Sequence, residues 1–203
     1  SIPIEPGEHV MYGSYQGEPV EWRVLDKKDG EILLLSEYGL DAQPFDTSGK
    51  SRVDWKDSTI RKWLNDDFYN SAFSEKEKEN IVESKSEGFE EYNTSMNLTG
   101  GGKPYAYLER EIEDKVFLLS NTELCAYFSE DPYPGCYSDP YAHKELLCYP
   151  TAYAKQQLET RYQTETCGWW LCNHVYEDDS VELVSAYGQG SGTSRENIKA
   201  NTK

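Results

Sequence analysis

Two thiols enclose two adjacent tryptophans in Cys167-Gly168-Trp169-Trp170-Leu171-Cys172. A thiol can bind a soft metal, exchange disulfides or pack as a small hydrophobe, and spacing decides among these. If Gly168 to Val175 is a strand, period 2 puts Cys167, Trp169, Leu171, Asn173 and Val175 on one face. Gly168, Trp170, Cys172 and His174 then share the other. Cys167 and Cys172 would stand about 16 Å apart on opposite faces, against the roughly 5.5 Å between Cα atoms that a disulfide favours. A direct bridge therefore needs a loop. Cys172 and His174 share a face and could chelate a soft metal, but a zinc site wants more ligands, and only His9 and His143 remain among the histidines. The plainer expectation is a buried Cys172 and a hydrogen-bonded surface His174.

The other cysteines are Cys125, Cys136 and Cys148; no two of the five form a C-x-x-C pair, which argues against zinc-ribbon and thioredoxin chemistry. Cys136 and Cys148, at the ends of a proline-containing loop, are the pair placed for a disulfide in an oxidising compartment. Cys125 falls inside an amphipathic helix and is expected to pack. Asp66-Asp67, Glu90-Glu91 and Asp178-Asp179 could bind calcium or flank a glycosidic bond, yet among 37 acidic residues such pairs arise by chance. No G-x-S-x-G, H-E-x-x-H or Rossmann fingerprint is present, and Gly100-Gly101-Gly102 lacks the Lys-Ser or Lys-Thr of a phosphate loop. Nothing in these residues specifies an enzyme, and no cofactor is expected.

The elements that must position these groups follow from periodicity. Val20, Trp22 and Val24 alternate with Glu21, Arg23 and Leu25, and an Asp29-Gly30 turn leads into Ile32–Leu35, which predicts a β-hairpin. Asp57 or Ser58 caps a helix carrying Ile60, Trp63, Leu64 and Phe68. Ser74 with Glu77 is a capping box for a short helix ending near Val82. Lys115–Ser120 reads as a buried strand, Asn121 or Thr122 as the cap of a helix through Phe128, and Ala152–Leu158 as a short helix. After the Gly168–Val175 strand, a turn at Glu177-Asp178-Asp179 leads into a strand from Ser180 to Tyr187. Residues 83–110 and 129–150 read as long loops, the first carrying sequons at Asn93 and Asn97, and residues 188–203 as a polar tail.

The chain's 203 residues suit a single domain, 1–203, of α+β class. A formal charge of -17 repels nucleic acid and anionic membranes, and no run is long and apolar enough to span a bilayer. The 16 tyrosines and 5 tryptophans serve cores and also sugar- or protein-binding surfaces.

Glu21-Trp22-Arg23-Val24-Leu25-Asp26, Ser58-Thr59-Ile60-Arg61-Lys62-Trp63-Leu64-Asn65, Lys115-Val116-Phe117-Leu118-Leu119-Ser120, Pro150-Thr151-Ala152-Tyr153-Ala154 and Trp169-Trp170-Leu171 together resemble a domain of unknown function common in gut Firmicutes, over roughly residues 10–190. That family distantly resembles the C-type-lectin-like fold of formylglycine-generating (sulfatase-modifying) enzymes and of ligand-binding variable proteins. The resemblance implies a bacterial, C-type-lectin-like domain of short antiparallel strands, few helices and long binding loops. Two features depart from the family pattern: Cys172-Asn173-His174 stands where W-W-L-R-S-P is usual, and the closing G-V-R-P-A strand is missing. The formylglycine-generating enzymes hold copper(I) between two cysteines, which makes Cys167 and Cys172 the alternative metal pair and a copper oxidase the alternative function.

The expected function is a non-catalytic module binding a carbohydrate or protein ligand through loop aromatics, with Tyr92, Tyr105, Tyr107, Tyr133, Tyr137 and Tyr141 as candidate contacts. A structural or interaction domain of a larger surface protein is the third reading, and an extracellular or cell-surface location is favoured over the cytoplasm.

Overall fold

The structure, a computed structural model, describes residues 4–50, 52–85, 112–128, 144–174, 181–188 and 190–193. It mixes helix with short, mainly antiparallel strands, so the α+β expectation holds. Strands β1 (His9–Tyr15), β2 (Glu18–Lys28) and β3 (Glu31–Ser36) form an antiparallel sheet in that order. The hairpin expected at Asp29-Gly30 is there, with φ of 51° and 82°. Gln16-Gly17 repeats the pattern between β1 and β2 at 52° and 83°, and both turns have the paired positive φ of tight two-residue hairpins. Val20 and Val24 are buried, as their alternation requires.

A helical stretch crosses this sheet. Helix α1 (Thr59–Trp63) passes through a π-helical turn (Leu64–Phe68) into α2 (Tyr69–Ala72). Its cap is Ser58, whose hydroxyl accepts the Arg61 amide at 3.3 Å. Phe68, Tyr69, Ala72 and Phe73 pack on Tyr12, Tyr15 and Trp22 of the sheet. The approach is close enough that a Cβ at Gly13, φ 72°, would meet the Ala72 carbonyl at 2.7 Å. The Ser74–Glu77 capping box starts α3 (Glu75–Lys78), but the helix ends at Lys78 rather than near Val82. The chain leaves it so that Ser84 can exchange backbone hydrogen bonds with Asp114.

Strands β4 (Tyr38–Gly39) and β5 (Tyr149–Pro150) form a short parallel pair. The third sheet contains β6 (Trp169–His174), β7 (Val181–Val184) and β8 (Gly190–Thr193), all antiparallel. Trp170, Leu171 and Cys172 of β6 and all four residues of β7 are buried, so both faces are covered there. Trp170, Cys172, Val181 and Leu183 join Phe45, Trp55 and Ile60 in one core, while Leu171 and Val184 join Leu119, Leu124 and Leu146 in another. The two tryptophans of the motif therefore serve opposite faces, as period 2 requires. Helix α4 (Asn121–Phe128) lies against β6, and α5 (Ala152–Gln157) starts at Thr151, whose hydroxyl accepts the Ala154 amide.

Three further expectations are corrected. Lys115–Ser120 is not a strand: the Asn65 side chain takes its polar groups, accepting the Lys115 and Val116 amides at 3.0 and 3.2 Å and donating to the Val116 carbonyl at 2.8 Å. The cap of α4 is Ser120 rather than Asn121 or Thr122. Its hydroxyl accepts the Glu123 amide at 3.1 Å while the Glu123 carboxylate accepts the Ser120 amide at 2.8 Å. The expected polar tail contains β8, a Gly-Ser-Gly-Thr strand with no apolar alternation to betray it, held by its register with β7. Among the described residues no helix is long and apolar enough to cross a membrane.

Candidate functional site

The first sheet, the helical stretch and the entry to β6 do not close completely. They leave a half-open cavity of about 220 Å³, walled by Trp22 and Leu34 of the sheet, Trp63 and Leu64 of the helix, Phe117 and Leu118 of the Asn65-bound segment, and Trp169 and Trp170 of β6. Three of the indoles are fixed by main-chain acceptors: Trp22 donates to Tyr12, Trp169 to Leu146 and Trp170 to Gln43, at 2.8, 3.1 and 3.0 Å. With their N–H groups engaged, these rings present apolar surface to the cavity.

The polar groups of the wall are also engaged. Arg23 holds Glu37 with two parallel hydrogen bonds of 3.0 and 3.1 Å and gives a third to the Glu145 carbonyl. Such a forked pair fixes both side chains and leaves little unspent charge. His9 lies 3.5 Å from Glu21 and 4.0 Å from Glu37. Asp41 accepts from the Tyr15 hydroxyl, and burial followed by this bond pushes the Tyr15 phenol well above its ordinary range. At the rim, Tyr38 and Tyr149 stand opposite one another in the parallel register and are 43 and 44% exposed.

One end of the wall is a thiol pair. Cys148 and Cys167 form an isolated antiparallel bridge, the Cys167 amide donating to the Cys148 carbonyl at 2.8 Å. A Cβ built on Gly39 would lie 3.1 Å from the Cys167 sulfur and 3.4 Å from that of Cys148, so the missing side chain at Gly39 is the space the two sulfurs occupy. The two side chains hydrogen-bond to one another. That hydrogen bond, then burial, pushes Cys148 up, while the same bond lowers Cys167.

The sequence-derived candidates are distributed differently. Tyr92, Tyr105, Tyr107, Tyr133, Tyr137, Tyr141 and Cys136 lie outside the described residues, as do the Asn93 and Asn97 sequons and the Glu177–Asp179 turn; the Cys125 and His174 side chains are likewise not described. Cys167 is brought to Cys148, while Cys172 lies in the core beside Trp170. Among the described residues no three His, Cys, Asp or Glu side chains converge as a metal site. The Cys148–Cys167 pair went unforeseen because no sequence periodicity links two residues that meet through one isolated bridge. The Tyr38–Tyr149 pair was hidden for the same reason.

Comparison with known proteins finds one family model, described as Domain of unknown function (DUF6273), matching residues 29–202. No curated protein and no solved structure matches the chain.

Proposed function

The chain belongs to the DUF6273 family of domains of unknown function, and we propose that it is a non-catalytic binding module, of C-type-lectin-like build, that takes an apolar side chain of a protein ligand into the tryptophan-walled cavity. The observation that carries this reading is the cavity itself, about 220 Å³ between rings already locked by hydrogen bonds. An apolar cavity of about 150 Å³ accepts benzene, so this one suits an aromatic or branched aliphatic group on the order of ten heavy atoms. Few convergent polar groups surround the apolar walls, because Arg23 and Glu37 satisfy one another. A buried sugar would leave its hydroxyls without partners there, which favours an apolar occupant.

A carbohydrate is the second reading. It is supported at a different place, the exposed Tyr38–Tyr149 pair, where two rings on one face offer a stacking surface. Titration of the intrinsic tryptophan fluorescence with indole and N-acetylphenylalaninamide separates the two readings. Saturable quenching that is lost in Leu40→Trp, a substitution that fills the cavity, supports the first. Absence of saturable quenching, or an equal response from the filled variant, refutes it. Glycan-array binding that disappears in Tyr38→Ala and Tyr149→Ala would instead support the second.

A further inference from the structure

We propose that Cys148 and Cys167 are a peroxide-responsive dithiol pair that closes reversibly to a disulfide in the wall of the cavity. The pairing stands on the two thiols and does not depend on which ligand the cavity binds. Residues directly opposed across an antiparallel bridge have Cα atoms about 4.5–5.5 Å apart, within the separation a disulfide spans. Cys148 and Cys167 are so paired, through the Cys167 amide and the Cys148 carbonyl. Their side chains converge on one point, above the bare Cα of Gly39. By contrast, Cys172 is directed into the core that holds Trp170 and Phe45, so it does not compete for either sulfur.

Access selects the oxidant. Cys167 is only 9% exposed, Cys148 is half-buried, and both line the cavity. Hydrogen peroxide, little larger than water, can enter a space that would exclude a tripeptide disulfide. The Cys167 thiolate, favoured by its hydrogen bond with Cys148, attacks one peroxide oxygen. An S–O bond forms, the O–O bond breaks, and the departing hydroxide takes a proton to become water. The Cys148 sulfur then attacks the Cys167 sulfur. The S–S bond forms, the S–O bond breaks, and the sulfenic oxygen leaves as water with the Cys148 proton. The two thiols have lost two electrons to one peroxide, giving a disulfide and two waters. A thiol reductant reverses the step.

The test uses the full chain, reduced, treated with hydrogen peroxide, quenched with N-ethylmaleimide and mapped by peptide mass spectrometry. The expected product is a Cys148–Cys167 cross-link exceeding any link through Cys125, Cys136 or Cys172 by more than about tenfold, and lost on adding dithiothreitol. In Cys148→Ser, dimedone should label Cys167, where no partner remains to resolve the sulfenic acid. A dominant link through another cysteine, or no link at all, overturns the proposal. Dimedone labelling of Cys148 in Cys167→Ser at a rate equal to that of Cys167 in Cys148→Ser overturns the assignment of Cys167 as attacking sulfur. The wild-type map decides the pairing even if a variant does not fold.

Discussion

Asp114→Ala tests what holds the cavity wall together. The Asp114 carboxylate is 3% exposed and accepts two hydrogen bonds of 2.8 Å, one from the Trp55 indole and one from the Arg61 guanidinium, while its backbone pairs with Ser84. These bonds anchor the start of the segment whose Phe117 and Leu118 line the cavity. A neutral hydrogen bond is worth about 1 kcal/mol net and one to a charged group about 1.5–3, and an orphaned buried donor costs about 1–3 more. Arg61 is 26% exposed on its side chain, so water compensates part of its loss. The expected destabilisation is about 3–4 kcal/mol, or a Tm lowered by about 10 °C in a chain of this size. Asp114→Asn keeps one acceptor and should lose about half of that. Denaturant unfolding monitored by tryptophan fluorescence measures both values. In a double-mutant cycle with Trp55→Phe, which removes the indole N–H and keeps an aromatic ring, the coupling should be about 1 kcal/mol. A Tm change under about 2 °C for Asp114→Ala, or strict additivity in the cycle, would refute the reasoning.

Three further perturbations probe other parts of the same framework. Leu171 of β6 is fully buried in the cluster that includes Leu124 of α4, so Leu171→Ala should cost about 2–5 kcal/mol in chemical denaturation; less than about 1 kcal/mol would mean that this face of β6 is not packed. Ser120→Ala removes the cap of α4 and should cost about 1 kcal/mol, read as a lowered denaturation midpoint. Tyr15 has a phenol raised above its ordinary value of about 10, so the neutral form is favoured in the folded state. The stability it confers is complete below pH 10 and is lost as pH rises beyond that. Tyr15→Phe should therefore show a shallower fall in Tm between about pH 10 and 12 than the wild type, and equal slopes would sink the assignment.

Much of the local structure was legible because local chemistry dictates it. The Asp29-Gly30 hairpin, the Ser58 cap, the Ser74–Glu77 capping box and the alternation of β6 each depend on residues a few positions apart. Lys115–Ser120 was misread because its apolar run resembles a strand, whereas its backbone groups were claimed by Asn65, a residue distant in sequence. β8 was missed for the opposite reason: its backbone pairs with β7, but Gly-Ser-Gly-Thr carries no alternation of side chains. The α4 cap was within reach, since Ser120 and Glu123 have the capping-box spacing, and was passed over for the polar residues beside it.

By itself the sequence determined the class of the protein, its acidic field, its principal hairpin and the opposite orientations of Trp169 and Trp170, because composition and short-range periodicity carry that information. Only the tertiary structure decided which thiol meets which, and where the tryptophans enclose space. Cys167 is kept from Cys172 by the rise of a strand and joined to Cys148 by a single bridge above Gly39. Contacts of that kind are set by how separate segments pack, and no local pattern of residues encodes them.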